Sequence, residues 1–282
     1  MRTVAVDIAR AAAQHIRTRR PEIFGMPGVR HDAADSAAVQ AKSSRTDPVT
    51  IVDTEAEQLI RSLLEQHRPG DAVFGEEGGG ALAVADGVRW VVDPIDGTVN
   101  FLYGIPAYSV SLAGQIDGQS VAGAVVDVAH GVTYCAAAGH GASRIDPDGA
   151  VTPLRCSAVE EVAMALVATG FGYGAARRTA QGRLIAQLLP RVRDIRRIGS
   201  AALDLCMVAT GLVDAHYEHG LSPWDWAAGA LVAREAGARV QVPTPTTLSA
   251  AGEIVVASAP GIADEFDGVL DEIGALAAIP EP

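Results

Sequence analysis

The stretch Trp90-Val-Val-Asp93-Pro-Ile-Asp96-Gly-Thr98-Val-Asn-Phe101 decides how the rest of this chain is interpreted. It opens as a short apolar, β-branched run, which predicts a buried strand. Pro94 has no N–H and cannot continue a central strand, so Asp93 and Asp96 are predicted to lie where the backbone order breaks. Gly97-Thr98 then offers backbone N–H groups and a hydroxyl. The stretch therefore predicts a cation site beside an anion site.

The composition limits the class of protein. The chain has 282 residues, 49% of them hydrophobic and 20% charged, as in globular proteins with one large domain or two packed ones. Its net charge of −12 argues against direct nucleic-acid binding and suits a protein that binds cations. No apolar run reaches the roughly 18 residues of a membrane span, so no membrane association is expected. Three widely spaced cysteines fit a reducing compartment, and we expect a cytoplasmic protein.

Local patterns divide the chain into two halves. Apolar residues at helical spacing predict an N-terminal helix, and a polar stretch over about residues 20–48 predicts a solvated loop. Thr54 and Glu57 predict a capping box at the start of the next helix. Hairpin signals follow, and residues 139–148 are predicted as a loop. We therefore predict an N-terminal α+β half (residues 1–152) and a C-terminal α/β half (residues 153–282), packed as one compact unit.

Four acidic residues stand at the ends of predicted elements: Glu76, Asp93, Asp96 and Asp225. Each alone is typical of a cap or a solvated turn, and Asp225 is predicted as a helix N-cap. The pair Asp93 and Asp96 differs, because a simple cap does not need a strand, a proline and a turn. If the four side chains converge, their repulsion raises their pKa values unless cations are bound. Oxygen ligands at this density favour Mg²⁺ over zinc.

Two histidines, His216 and His219, are three residues apart near a predicted strand end. That spacing makes a metal pair only on a helix. We interpret both as non-catalytic.

Several motifs, in the same order, resemble those of the inositol monophosphatase family. The resemblance covers essentially the whole chain and is closest to the bacterial inositol-1-monophosphatases. The similar segments are residues 90–101, Trp224-Asp225-Trp226-Ala227-Ala228-Gly229 with Glu235-Ala236-Gly237, Gly75-Glu76-Glu77, and the upstream Lys42 and Asp53.

The resemblance implies a fold and an activity. The fold is α+β / α/β, a layered α-β-α-β-α sandwich of the inositol monophosphatase / fructose-1,6-bisphosphatase type. The activity is Mg²⁺-dependent hydrolysis of myo-inositol monophosphate to myo-inositol and phosphate. A homodimer, two or three Mg²⁺ ions per subunit and inhibition by Li⁺ are also implied.

The resemblance further implies the metal ligands. Glu76, Asp93 and the carbonyl of Ile95 hold one Mg²⁺, and Asp93, Asp96 and Asp225 hold a second. Glu76 also helps to hold a third ion through water.

Catalytic and phosphate-binding roles follow from the same motifs. Thr98, paired with Asp53, orients the attacking water and helps to deprotonate it. The backbone N–H groups of Gly97 and Thr98 bind phosphate at a helix start, which is a physically sensible anion site. Lys42 belongs to the active-site loop.

Substrate contacts are implied at a second group of positions. Glu218 matches a residue that accepts a hydrogen bond from an inositol hydroxyl. Ser200 and Ala201 match neighbouring positions at the sugar. Arg196 or Arg197 faces the pocket or a subunit interface.

Two alternatives stay open. The same chemistry serves relatives that act on fructose 1,6-bisphosphate, NADP(H), histidinol phosphate or adenosine 3′,5′-bisphosphate, and residues 93–98 are similar in several of them. Glu218 favours a polyol. The second alternative is an additional protein-binding role with the transcription machinery, because some bacterial relatives bind it.

Overall fold

The computed structural model describes residues 1–25, 38–41, 48–80, 82–84 and 86–281. Lys42 lies outside these residues. The helices in the described part of the chain are α1 (Arg2–Phe24), α2 (Ile51–His67), α3 (Thr98–Tyr103), α4 (Ala175–Leu188), α5 (Ala201–Thr210), α6 (Pro223–Glu235) and α7 (Ala263–Glu272). None of these helices combines the length and apolar character needed to cross a bilayer.

The strands form one ribbon and two larger sheets. In chain order they are β1 (Val39–Ala41), β2 (Pro48–Thr50), β3 (Ala72–Gly75), β4 (Val88–Asp96), β5 (Ser109–Ile116), β6 (Gln119–Asp127), β7 (Val132–Ala137), β8 (Ala142–Ile145), β9 (Val151–Pro153), β10 (Leu166–Thr169), β11 (Asp194–Arg196), β12 (Ala215–His219), β13 (Arg239–Gln241) and β14 (Ile254–Ser258). The first sheet runs β3-β4-β5-β6-β7-β8-β9, and only its β3–β4 pair is parallel. The second runs β11-β10-β12-β14-β13, with β10 parallel to both of its neighbours.

Buried side chains join these elements into five layers. Helices α1 and α2 cover one face of the first sheet. Helices α5 and α6 fill the space between the two sheets. Helices α4 and α7 cover the far face of the second sheet. The predicted layered α-β-α-β-α sandwich is therefore confirmed.

Alternation along β4 explains why the first sheet has two apolar faces. Successive side chains of a strand point to opposite faces. Trp90 and Val92 pack beneath α1 and α2, whereas Val91 packs toward α5 and α6. A continuous apolar run, with helices on both sides, is the pattern expected of such a strand.

The proline in β4 did not end the strand, so that prediction was wrong. β4 continues through Pro94 to Asp96, and its register with β5 shifts between Asp93 and Asp96. The pairing of β3 with β4 ends earlier, at Gly75 and Val92. A strand tolerates proline at such a bulge because the missing N–H needs no partner there.

Two helix starts also differ from prediction. α2 begins one turn before the predicted capping box, with Thr50 as N-cap and Asp53 as its reciprocal partner. α6 begins at Pro223, with Ser222 as N-cap, so Asp225 lies in the first turn and is not the cap. The predicted loop over residues 139–148 contains β8, which pairs with β7.

The two central helices pack closely because their facing residues are small. A β-carbon on Gly229 of α6 would lie 2.9 Å from Cβ of Leu205 and 3.1 Å from the carbonyl oxygen of Ala202, both on α5. Gly229 therefore sets the distance between the helices.

A pair of glycine substitutions tests this packing. Gly229→Ala is expected to lower the free energy of unfolding by about 1–3 kcal/mol, the usual cost of overpacking. Gly182→Ala, on the exposed face of α4 with no atom within 4 Å of the added carbon, is expected to raise it by about 0.5–1 kcal/mol through helix propensity. Urea unfolding measures both, and a gain in both variants would show that α5 and α6 do not pack closely at Gly229.

Candidate active site

A cavity of about 280 Å³ opens where ends of strands from both sheets meet the N-termini of three helices. Glu76 directly follows β3, Asp93 lies in β4 and Glu218 lies in β12. The first turns of α3 and α6 contribute Thr98 and Asp225. All of the predicted site residues within the described chain lie at this cavity or in contact with a residue that lines it.

Three carboxylates converge at the bottom of the cavity. Asp93, Asp96 and Asp225 each offer an oxygen, and these atoms lie within 4.8 Å of one another. Asp93 and Asp96 are buried. Three acids this close repel one another strongly unless protons or cations neutralise them. Their all-oxygen donor set fits a hard divalent cation.

Hydrogen bonds hold Asp96 in place despite this repulsion. Its Oδ2 accepts from the hydroxyl of Ser200 at 2.6 Å and from the N–H of Ala202 at 2.8 Å. Burial raises the pKa of Asp96 to about 6, the hydrogen bonds from Ser200 and Ala202 oppose that shift, and the charge of Glu76 adds to it. Ionisation of Asp96 is therefore costly in free energy, and a bound cation would lower that cost.

Asp225 is held by its own helix. Its Oδ2 accepts from the N–H of Ser222 at 2.7 Å, which is the capping contact of α6. Burial raises the pKa of Asp225 well above its ordinary value, and the nearby charges of Glu76 and Asp96 raise it further.

Asp53 is held in the same way at the start of α2. Its Oδ2 accepts from both the N–H and the hydroxyl of Thr50. Its Oδ1 lies 3.2 Å from the hydroxyl of Thr98, which also lies 3.0 Å from the carbonyl oxygen of Ile95. The structure therefore brings together the predicted pair Thr98 and Asp53, and places Ile95 beside them.

Glycine is needed where the start of α3 borders the cavity. Gly97 has φ 96°, and a β-carbon there would lie 3.0 Å from the carbonyl oxygens of Ala107 and Gly199. Gly97 is the N-cap of α3, so its N–H and that of Thr98 lie at a helix start that borders the cavity. Backbone N–H groups at such a start attract anions.

One residue of the site was missed by sequence reasoning. Glu57, interpreted as a helix cap, is buried, and its carboxylate accepts from the N–H groups of Glu77 and Gly78 at 2.8 Å each. Arg61 pairs with the same carboxylate at 2.7 Å and donates to the carbonyl oxygen of Gly79 at 2.6 Å. Glu57 and Arg61 together fix the turn that carries Glu76. No sequence signal specified this, because the contact joins residues 20 positions apart.

The opposite wall of the cavity carries the predicted substrate contacts. Glu218, Ser200, Ala201 and Arg197 line it, whereas Arg196 pairs with Asp194 on the surface. Burial raises the pKa of Glu218 to about 8, while the charge of Arg197 lowers it.

Fold and site together define a class of enzyme, a phosphatase built as a layered α-β-α-β-α sandwich with an acid-lined pocket at the junction of its sheets. The chain belongs to the inositol monophosphatase family, whose model matches residues 1–272.

Individual relatives agree with this assignment. The inositol-1-monophosphatase of Mycobacterium leprae is 56% identical over 283 residues, covering 99% of this chain and 96% of the relative. The solved structure of Mycobacterium tuberculosis SuhB has a TM-score of 0.81 and 49% identity, covering 98% of this chain and 97% of that one. A protein of Vibrio cholerae named Nus factor SuhB is 33% identical over 264 residues, covering 93% of this chain and 92% of the relative.

Replacing the buried carboxylate under the Glu76 turn tests its role. Glu57→Gln keeps the size of the side chain but removes its charge, so the turn loses two charge-assisted hydrogen bonds and Glu76 is held less firmly. Because the family resemblance implies that Glu76 is a Mg²⁺ ligand, we expect the Mg²⁺ concentration for half-maximal phosphatase activity to rise roughly 10- to 100-fold, as for other residues that orient metal ligands.

The matched control is Glu65→Gln, on the exposed face of the same helix. It is expected to leave the Mg²⁺ dependence unchanged. Equal Mg²⁺ dependence in wild type and Glu57→Gln would contradict the role assigned to Glu57.

Proposed function

We propose that this protein is a Mg²⁺-dependent phosphomonoesterase that hydrolyses myo-inositol monophosphate to myo-inositol and phosphate. The observation that carries the proposal is the convergence of Asp93, Asp96 and Asp225 within 4.8 Å beside the N-terminus of α3. A dianionic phosphate would be repelled by these carboxylates alone. Substrate binding therefore requires cations at the site.

The residues present fit such a group of cations. We infer that Glu76, Asp93, Asp96, Asp225 and the carbonyl of Ile95 hold two or three Mg²⁺ ions per subunit. When bound, Mg²⁺ supplies Lewis-acid polarisation of phosphate oxygens and lowers the pKa of bound water. Li⁺ is expected to inhibit by competing for one of these positions.

The chain's own residues would then position the water and the phosphate. The hydroxyl of Thr98 would accept a hydrogen bond from the attacking water while donating its own hydrogen to Oδ1 of Asp53. A proton lost by the water could pass along these two hydrogen bonds to Asp53. The N–H groups of Gly97 and Thr98 bind phosphate oxygens at the start of α3.

The size of the rate enhancement indicates how much each kind of group contributes to catalysis. One general base contributes only about 10²–10⁴ in rate. The slowest phosphate-monoester reactions need ~10²¹. Most of the acceleration must therefore come from electrostatic stabilisation and positioning, which is consistent with a site built mainly of charged ligands.

The other wall of the cavity supports a polyol as the alcohol portion of the substrate. Glu218 offers carboxylate oxygens to hydroxyl groups, and Ser200 and Ala201 border the same space. The hydroxyl of Ser200 donates its hydrogen to Asp96. We therefore expect the backbone of Ser200, and not its hydroxyl, to contact a sugar. We further propose that the protein forms a homodimer. We also propose that it lies in the cytoplasm, a reducing compartment that suits its three free cysteines.

A substrate panel separates this proposal from the same chemistry on other phosphates. The panel compares kcat/KM for myo-inositol monophosphate, fructose 1,6-bisphosphate, NADP(H), histidinol phosphate and adenosine 3′,5′-bisphosphate at several Mg²⁺ concentrations, with and without Li⁺. The highest value is expected for the inositol ester, with inhibition by Li⁺. A higher value for a nucleotide would overturn the assignment of substrate.

A second role in binding the transcription machinery is supported by one observation, the name Nus factor carried by the Vibrio cholerae relative. Affinity capture with the inactive Asp93→Asn variant tests it. Specific enrichment of transcription proteins is expected if the role exists, and capture of none would count against it.

Asp93→Asn tests the metal assignment itself. The change removes one of three converging charges while keeping the shape of the side chain. We expect turnover to fall by at least about 10³-fold, because Asp93 is assigned to two cations. The melting temperature should stay equal or rise, since repulsion is relieved.

The control is Asp148→Asn, on an exposed turn. It should retain full activity. An Asp93→Asn enzyme with near-normal turnover would show that the metal assignment is wrong.

A further inference from the structure

A buried cluster of polar side chains lies behind Glu218, and none of the roles above uses it. Asp204 on α5 and His216 on β12 join Glu218 there, with ligand-type atoms within 4.8 Å of one another. Since alternate residues of a strand point to one face, His216 and Glu218 both face α5. Nδ1 of His216 lies 3.7 Å from Oδ2 of Asp204. The side chains of His216 and Asp204 are 0% and 1% exposed.

The side chains of Asp204 and His216 form no hydrogen bonds within the described part of the chain. Neither carboxylate oxygen of Asp204 and neither ring nitrogen of His216 has a hydrogen-bond partner among those residues. Buried polar groups in proteins are almost always paired, and an unpaired one is costly. A small rotation that closes the 3.7 Å gap would pair the two groups.

Burial also favours a single proton on the pair. Burial raises the pKa of Asp204 well above its ordinary value, with the charges of Glu218 and Asp96 adding to the shift and that of Arg197 opposing it. Burial lowers the pKa of His216 to about 3. Both effects act against an isolated charge. A carboxylic acid beside a neutral imidazole and a carboxylate beside an imidazolium hold the same number of protons, and both have zero net charge.

We propose that Asp204 and His216 share one proton as a neutral buried pair, and that the remaining N–H of His216 donates to Glu218 and holds its carboxylate toward the substrate hydroxyls. His216 is thus a positioning residue that acts through Glu218, and Asp204 fixes which nitrogen of His216 carries the donated proton. This inference rests on the proposed polyol specificity of the pocket.

The surroundings of Glu218 support this arrangement. A β-carbon on Gly170 would collide with the carboxylate of Glu218, so the glycine leaves room for that group at the pocket wall. Burial raises the pKa of Glu218 to about 8, and the charge of Arg197 together with a hydrogen bond donated by His216 would act against that shift. In its ionised form this carboxylate is acceptor-only and accepts hydrogen bonds that substrate hydroxyls donate.

The charge of this cluster can be balanced by a proton or by a metal ion. Arg197 lowers the pKa values of both acids, but its side chain is exposed, so it offsets only part of their charge. Binding of a cation by these three residues is therefore the competing outcome that the experiments must exclude.

Kinetics of matched variants test the positioning role. His216→Phe removes both hydrogen-bonding atoms, whereas His216→Gln keeps one donor and one acceptor. We expect KM for myo-inositol monophosphate to rise roughly 10- to 100-fold in His216→Phe, the loss of one hydrogen bond to a charged group. His216→Gln should stay within about threefold of wild type.

Two controls show whether the effect passes through Glu218. With p-nitrophenyl phosphate, which has no vicinal hydroxyls, His216→Phe should keep the wild-type kcat and KM. In a Glu218→Gln background, His216→Phe should have no further effect on KM for the inositol ester. Equal losses on both substrates, or additive losses in the double variant, would overturn the proposal.

Nuclear magnetic resonance reads the pair independently of turnover. With ¹⁵N-labelled histidine, the shared proton should give a resonance far downfield of the amide region. That resonance should be absent from Asp204→Asn and His216→Gln, and this holds even if one phenylalanine variant fails to fold. Absence of the resonance from the wild type, or stoichiometric Zn²⁺ or Mn²⁺ binding that Asp204→Asn removes and Asp93→Asn does not, would overturn the pair.

Two different results separate the proposed function from the role of Asp204 and His216. A wild-type enzyme with no preference for polyol phosphates would overturn the proposed function while the shared proton is still observed. A polyol-specific enzyme without the shared proton would overturn only the role of Asp204 and His216.

Discussion

Repulsion among buried carboxylates is the constraint on which the rest of this structure depends. Two unit charges at 4 Å interact by about 4 kcal/mol at the effective dielectric of a protein surface, and the cost rises with burial. Asp93, Asp96 and Asp225 lie within 4.8 Å of one another. A fold that kept all three ionised without cations would lose a large part of its stability. We therefore expect the site to be fully formed only when cations are bound to it.

Hydrogen bonds from backbone N–H groups hold Asp53, Asp96 and Asp225 in place without any cation. Asp53 and Asp225 both occupy the third position of a helix, and each gives one oxygen to the N–H of the N-cap residue. Asp96 accepts an N–H from the first turn of α5. Each of these three carboxylates has an oxygen committed to a helix start, and the layered fold points those starts toward one cavity. Helix N-termini also favour nearby negative charge, which lowers the cost of collecting acids there.

Much of this site could be predicted from the sequence. Residues 90–101 combine a buried strand with two carboxylates and a turn, and the structure places Asp93 and residues 95–98 of this stretch at the cavity. The start of α2 was predicted one turn late, because Thr50 with Asp53 and Thr54 with Glu57 present the same spacing, and only tertiary packing distinguishes them. Pro94 lies in a strand because β3 ends beside it, which no local pattern reveals. The contact of Glu57 with the Glu76 turn and that of Asp204 with His216 join distant parts of the chain, so neither could be derived from spacing.

The central claim is that the acidic cluster binds phosphate only when cations neutralise it, and the linkage between the two ligands tests this most directly. Calorimetric titration of inorganic phosphate into the protein should give no measurable binding in chelator and clear binding at millimolar Mg²⁺. By thermodynamic reciprocity, phosphate should then tighten Mg²⁺ binding by the same factor. Equal phosphate affinity with and without Mg²⁺ would contradict the account.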